Sequence, residues 1–282
     1  MACDVSGNAH VACQLCSGAV SRLFTKGQYH IDQCAECSFA FVNPTPNATL
    51  INAFYADESP PSPAEAADLV TDVLARRFAS STPLTLLAAM SGGSLLDVGC
   101  GYGFTSATAQ SLGFDVVSLE VSPTSRAIAR EITGREPLNV SFEDYEGGPF
   151  DTLVLSQVLE HARDPNLWLD KAARLLRPGG VVMIALPNFG APLTKLLGTR
   201  DPYVTPPAHL NYFNRANLVA ALKKRGFGIV LAVTVATIPQ ETFHRRLGPV
   251  WGKIASAFYR VVYPLIDFWR AGMILRVYAV RL

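Results

Sequence analysis

From Ser94 to Leu186 short apolar, β-branched runs alternate with stretches of helical pattern, and that alternation leaves few architectures open. The order is SLLDV, a helix after Gly103, DVVSLE, a helix from Pro123, DTLVLS, a helix from Pro165, then VVMIAL. Strands this short and continuously apolar suit burial on both faces, the condition of a parallel sheet with helices above and below it. The pattern predicts an α/β fold. Ligands of such sheets bind beyond the carboxyl ends of the strands, so the residues there carry the functional question.

The first of these strands ends in Asp97-Val98-Gly99-Cys100-Gly101-Tyr102-Gly103. Glycines at alternating positions let the backbone turn tightly and approach a ligand, while the following helix presents its amino end to a negative group. A glycine turn alone is shared with dinucleotide enzymes. Here the spacing is G-x-G-x-G instead of G-x-G-x-x-G, and an acid, Asp97, precedes the first glycine. The second strand ends in Glu120, seventeen residues after Gly103, where a carboxylate could grip both ribose hydroxyls.

These residues resemble class I S-adenosylmethionine-dependent methyltransferases. LLDVGCGYG is similar to that family's cofactor loop, VVSLE to its ribose strand, SQVLEHARDP to the segment after its fourth strand, and LLRPGG to the entry of its fifth. The resemblance spans about residues 94 to 237 and implies a Rossmann-like, mostly parallel seven-stranded sheet. It further implies that Gly99, Gly101 and Gly103 touch the methionine part of S-adenosylmethionine. Asp97 would orient the loop and the cofactor amine, and Glu120 would hold the ribose. Phe142, Glu143 or Asp144 would lie by the adenine, and Gln157 near the transferring methyl.

A sulfonium methyl is already electrophilic, so the protein must align the acceptor and, where needed, remove its proton. Of the five histidines, His161 follows Glu160 in VLEH, and His209 lies in PPAHLNYFN with Tyr212 beside it. The latter segment resembles the T-H-x-x-x-F stretch of ubiquinone-biosynthesis O-methyltransferases. That subgroup and the small-RNA 2′-O-methyltransferases carry E-x-x-E-H plus a later histidine that binds a divalent ion. The corresponding set here is Gln157, Glu160, His161 and His209, with glutamine in place of the first glutamate. Orienting, acid–base and metal-ligand roles are all open to His161. His209 is the stronger candidate base because it sits on a loop.

Six cysteines include two C-x-x-C pairs, Cys13/Cys16 and Cys34/Cys37, separated by seventeen residues. Each pair forms a knuckle offering two thiolates, and two knuckles complete the tetrahedron of a structural zinc. The intervening Tyr29, Ile31 and Gln33 read as a strand. A unit of about 40 residues buries too little apolar surface to fold unaided, so a metal staple has a physical purpose. Disulfides or a redox pair are the competing uses of these thiols.

The expected organisation is a zinc-ribbon-like module at 1–45, a linker and covering helix at 46–90 marked by SPPSP, and a methyltransferase domain at 91–282. Leu69, Val70, Val73, Leu74 and Phe78 give the covering helix its apolar face. About thirty residues separate the last two strand patterns, a departure from the family's short hairpin. Within them Trp251, Ile254, Phe258, Val262, Leu265 and Trp269 form an apolar stripe opposite Lys253, Arg260 and Arg270. This stripe at 249–270 suits docking on the domain, homodimerisation, or peripheral contact with a membrane or lipid.

With 24 basic residues against 23 acidic, net charge +1, the chain lacks the basic excess of a nucleic-acid protein. Hydrophobic residues at 49% supply a full core, and no apolar run reaches the length of a bilayer span. No signal-peptide pattern opens the chain, so a cytoplasmic setting is expected. The reading is methyl transfer to a small-molecule acceptor in a sugar, polysaccharide, quinone or natural-product pathway, with oxygen preferred over carbon or nitrogen. RNA methylation, nicotinamide oxidoreduction and a non-catalytic binding module rank lower.

Overall fold

A computed structural model of the protein describes residues 10–47, 92–235 and 271–282, together with isolated positions at 49–51, 87, 88, 248, 250, 253, 254 and 257. The covering helix expected from residue 64 and most of the stripe at 249–270 lie outside the described residues. Of the stripe and its surroundings, Val250, Lys253, Ile254 and Ala257 are helical and exposed. Among the described residues no helix is long and apolar enough to cross a membrane.

The central sheet has the order β5-β4-β6-β7-β10-β9. Its parallel part comprises β4 (Ser94–Val98), β5 (Asp115–Leu119), β6 (Phe150–Ser156) and β7 (Leu176–Pro187). At the far side β10 (Ile274–Arg281) runs antiparallel to β7 and to the edge strand β9 (Phe227–Val235). The seven-strand expectation meets six strands among the described residues. The position beside β5 is held by a single parallel bridge from Leu119 to Leu138. Pro137, immediately before Leu138, has no N–H to extend that ladder.

The short apolar runs are buried on both faces, as their composition requires. Leu96, Leu153 and Leu155 point into one core cluster, while Leu95 and Val154 point into the other. The helices connecting the strands start where their caps place them. Ser122 accepts from the Ser125 backbone N–H ahead of α2 (Pro123–Thr133), and Asp164 accepts from Asn166 and Leu167 ahead of α3 (Pro165–Leu175). Each cap is worth about 1 kcal/mol. Helix α1 (Phe104–Ser111) begins directly at Gly103.

The cysteine segment forms a second sheet of order β1-β2-β3-β8, from β1 (Val20–Lys26), β2 (Tyr29–Cys34), β3 (Ala40–Val42) and β8 (Asn211–Tyr212). The strand expected across Tyr29–Gln33 is present; its partners β1 and β3 were not foreseen. β8 comes from the far half of the chain and pairs Phe41 with Asn211 and Ala40 with Tyr212. The two parts share one core. Phe39 stacks on Phe41 at 5.6 Å and meets Phe213 at 4.9 Å, all three essentially unexposed, in the same cluster as Leu218 and Leu222 of α4 (Arg215–Lys223). Burying each phenyl ring contributes about 2 to 3 kcal/mol, so this junction is a packed interior and not a flexible linker.

Candidate functional site

At the carboxyl end of β4 the chain turns through Gly99 (φ +61°), Gly101 (φ +54°) and Gly103 (φ +82°). Left-handed backbone at all three explains why glycine is used, because a side chain there is strained. The surroundings separate their roles. A Cβ on Gly99 would strike Val158 at 2.6 Å, and one on Gly103 would press on Ala129 and Thr133 of α2. A Cβ on Gly101 would meet nothing within 4 Å, so only this glycine opens onto free space where a ligand could lie.

Glu120, one residue beyond β5, closes the turn. Its carboxylate accepts the Gly101 N–H at 2.9 Å and the Ser122 N–H at 2.8 Å. Each oxygen keeps a lone pair for another donor such as a hydroxyl. Asp97 is 1% exposed and accepts from the Ser106 hydroxyl at 2.6 Å, which in turn contacts Ser118. Burial raises its carboxyl from 3.8 to about 6, with the Glu120 charge adding to the effect. Cys100, half-buried beside both acids, has its thiol pushed far above the ordinary value by desolvation, which suits an inert residue.

The raised Asp97 fixes a sign. Between about pH 4 and pH 6 the folded chain holds a proton that the unfolded chain releases, so stability falls as pH rises through that window. A shift from 3.8 to about 6 amounts to about 3 kcal/mol. The gap in unfolding free energy between Asp97→Asn and the parent chain is therefore expected to grow by about that amount from pH 4 to pH 6.5. Parallel denaturation curves for the two proteins across this range would show that burial does not strain Asp97.

The other expected cofactor residues lie along the same rim. Phe142 is buried, edge-to-face with Trp168 at 5.0 Å. Glu143 accepts from the Trp168 indole N–H at 2.6 Å, and Asp144 accepts from the Ser141 hydroxyl at 2.7 Å; both are exposed. Gln157 follows β6 with φ +59°, an unusual conformation for a residue with a side chain, and is exposed.

Beyond Gln157 a 3₁₀ turn, Leu159–His161, brings Glu160 and His161 to the loop carrying His209. Leu210 N–H donates to the Glu160 carbonyl at 2.8 Å, and the Asn211 side-chain amide donates to the carbonyls of Leu159 and Ala162. The two imidazole rings meet edge-on, centroids 4.9 Å apart. His161 Nδ1 faces the Ala208 carbonyl at 2.7 Å, and His209 Nδ1 faces the Tyr203 carbonyl at 2.6 Å. A carbonyl only accepts, so each Nδ1 carries the proton and each Nε2 of a neutral ring carries a lone pair. Burial, then the neighbouring His161, lowers His209 to about 4. Tyr212 is buried and donates its hydroxyl to the His209 carbonyl at 2.9 Å; burial drives its phenol well above the ordinary value.

Glu160 is 1% exposed, and among the described residues neither of its carboxylate oxygens has a hydrogen-bond partner. Burial pushes it up to about 8. Ligand atoms of Glu160, His161 and His209 lie within 4.8 Å of one another. One carboxylate and two imidazole nitrogens form a donor set suited to a divalent cation. The position of Glu160 was legible in sequence, but the lack of a hydrogen-bond partner for its carboxylate among the described residues was not.

The four cysteines also converge. Cys13 and Cys37 sulfurs are 3.6 Å apart, those of Cys16 and Cys34 are 3.4 Å apart, and all four lie within 4.8 Å. None is in a disulfide. Four thiolates around zinc at about 2.3 Å place sulfurs about 3.8 Å apart, so the group fits a tetrahedral ion.

The sheet order, the glycine turn at its open rim and the acid on the next strand define the fold of class I S-adenosylmethionine-dependent methyltransferases. An S-adenosylmethionine-dependent methyltransferase from Mesorhizobium loti superposes with a TM-score of 0.52 at 19% identity, over 71% of this chain and 96% of that one. Magnesium protoporphyrin IX methyltransferase from Synechocystis PCC 6803, solved with bound S-adenosylhomocysteine, gives 0.52 at 15% identity over 84% and 96%. Residues 44–232 match the methyltransferase domain family, and the chain belongs to it. Curated relatives include the ubiquinone biosynthesis O-methyltransferase of Caulobacter vibrioides, 34% identical over 36% of this chain and 43% of that protein. The protein of the same name from Xanthomonas euvesicatoria is 31% identical over 50% of this chain and 59% of its own length. The chain thus spans about half the length of these relatives.

Proposed function

We propose that this chain transfers the methyl group of S-adenosylmethionine to an oxygen of a small-molecule acceptor. The observation that carries this is the juxtaposition of the open Gly101 turn, braced by Glu120, with the Glu160–His161–His209 cluster farther along the same strand ends. In this reading Gly99, Gly101 and Gly103 seat the methionine part, Asp97 faces the amine and Glu120 the ribose hydroxyls. Phe142, Glu143 and Asp144 border the adenine, and Gln157 lies by the methyl. The acceptor oxygen attacks the methyl carbon in line, the carbon–sulfur bond breaks, and the acceptor proton departs to the cluster or to solvent. The names of the curated relatives favour oxygen over carbon or nitrogen.

Two metal assignments belong to the proposal. Zinc held by Cys13, Cys16, Cys34 and Cys37 is structural, since four protein ligands leave no position for substrate. The orphaned carboxylate of Glu160 with the Nε2 atoms of His161 and His209 holds a divalent cation, which would lower the pKa of an acceptor hydroxyl beside it. His209, depressed by burial, is a weak base by itself, and that favours the ligand role. The organisation that follows is a zinc module at 1–45, a connecting segment at 46–90 and the methyltransferase domain at 91–282.

Incubating cell extract with the enzyme and isotope-labelled S-adenosylmethionine, followed by mass spectrometry, is expected to reveal one labelled small molecule. No labelled product would count against the activity. With that acceptor, His209→Ala should reduce turnover about 100-fold while S-adenosylhomocysteine affinity stays unchanged. A chelator that spares the thiolate zinc should reproduce the loss, and added Mn2+ should reverse it. Full activity in chelator would reject the divalent cation and return His209 to the role of base.

A further inference from the structure

Two side chains of α3 reach the turn that the proposed function sets against the adenine. Trp168 and Lys171 stand three residues apart and so share one face of that helix. The Trp168 indole N–H donates to Glu143 Oε1 at 2.6 Å, and its ring meets Phe142 edge-on at 5.0 Å. Lys171 Nζ donates to the Glu143 carbonyl at 2.7 Å and lies 5.8 Å from the centre of the Phe142 ring. Glu143 is thus held by its side chain and by its main chain at once.

Lys171 is the anomaly in this arrangement. It is 3% exposed. Its ion-pair contact among the described residues is Glu146 Oε1 at 3.8 Å, on a side chain that is 91% exposed. A carboxylate so open to water is a weak counter-charge, whereas taking an ammonium out of water is costly. An apolar side chain of the same length would fill the space without that cost. What the ammonium alone provides is a strong, directed donor to the Glu143 carbonyl. Glu143 itself is exposed, so fixing it adds nothing to core burial. The fixing sets where the rest of its carboxylate points. Trp168 engages Oε1, which leaves Oε2 to accept from another donor.

The turn is also tied to the cofactor rim. The Leu138 N–H donates to the Ser118 carbonyl and the Glu120 N–H to the Leu138 carbonyl, which binds the segment entering the turn to the end of β5. We infer that Trp168 and Lys171 are positioning residues for the base of the cofactor, holding Glu143 so that Oε2 accepts from the exocyclic amine of the adenine. The inference rests on the methyltransferase reading and narrows it, choosing Glu143 over its two neighbours as the residue that reads the base edge. Asp144 bonds within the turn, accepting the Ser141 hydroxyl at 2.7 Å, and Phe142 has no polar side-chain atom.

The test compares S-adenosylhomocysteine with S-inosylhomocysteine, which replaces the amine by a carbonyl oxygen and leaves the sugar and amino-acid parts unchanged. An oxygen facing a carboxylate finds no donor there. Titration calorimetry on the full chain should show the adenine ligand binding at least about 30-fold more tightly. Lys171→Met removes the ammonium and keeps the length of the side chain, while Trp168→Phe removes the indole donor and keeps a ring. Each should lower the ratio to about 5-fold or less through weaker S-adenosylhomocysteine binding, with S-inosylhomocysteine affinity within about twofold of the parent. A merely structural role would weaken both ligands together, or move the melting curve alone, and leave the ratio where it was. No preference in the parent chain, or a preference that survives in either folded variant, overturns the inference while the methyltransferase reading stands. Binding of neither ligand by the parent strikes at that reading and takes the inference with it. If Lys171→Met does not fold, Trp168→Phe carries the test.

Discussion

Glu120→Ala is expected to weaken S-adenosylhomocysteine binding about 100-fold while the chain stays folded. The carboxylate accepts two backbone N–H groups, from Gly101 and Ser122, and so holds the open glycine in place before any ligand arrives. In the proposed complex it also accepts from the ribose. Hydrogen bonds to a charged acceptor contribute about 1.5 to 3 kcal/mol each, and losing a net 3 kcal/mol corresponds to about a hundredfold in Kd. Glu120 is only partly buried, so its removal leaves no large cavity, and the melting temperature should change by a few degrees at most. Glu120→Gln keeps an acceptor oxygen without the charge and should fall between. Calorimetry giving an alanine variant within threefold of the parent would remove Glu120 from the cofactor site.

Loss of the proposed thiolate zinc should have the broadest consequence. Cys34→Ser, or extraction of the metal, is expected to lower the melting temperature by about 10 °C or more and to abolish methyl transfer. Structural zinc sites contribute on the order of 10 kcal/mol of apparent folding free energy in small units. Each kcal/mol lost moves a chain of this size by about 2 to 4 °C. The effect should not stay local. Cys13 and Cys34 lie in the same core cluster as Phe39, Phe41 and Leu218, and β3 pairs with β8 two residues past His209. Leu210 joins the two sides directly, donating its N–H to the Glu160 carbonyl and accepting from Val42. Disorder in the module therefore releases the histidine loop, whereas the glycine turn, on β4 and β5, is held by other strands. Donor binding should outlast methyl transfer as metal is withdrawn. A zinc-free chain with an unchanged melting curve and full turnover would reject the structural role.

The parts that sequence made legible are those whose physics is local. Apolar runs alternating with helical stretches that open after Gly103 and at Pro123 and Pro165 placed β4 to β7 and their helices; Gly101 and Glu120 stand out because the turn needs left-handed backbone and the next strand ends in an acid. The cysteine pairs were readable from ligand spacing alone. β8 was not, since two residues have no period, and Asn211 gives no sign that its partner is Phe41. The strand beside β5, expected only from the family resemblance, is reduced to the Leu138 bridge, and Pro137 before it has no N–H to extend the ladder.

The pairing of Phe41 with Asn211 also governs the order of events on the ribosome. β3 must wait for a partner made 170 residues later, roughly 10 to 30 s at usual synthesis rates. Through that interval the edge of β3 stands bare, an open template for strand addition. A nascent chain of this kind needs its aggregation partners kept away, and any shortened form ending before Asn211 carries that exposed edge for good.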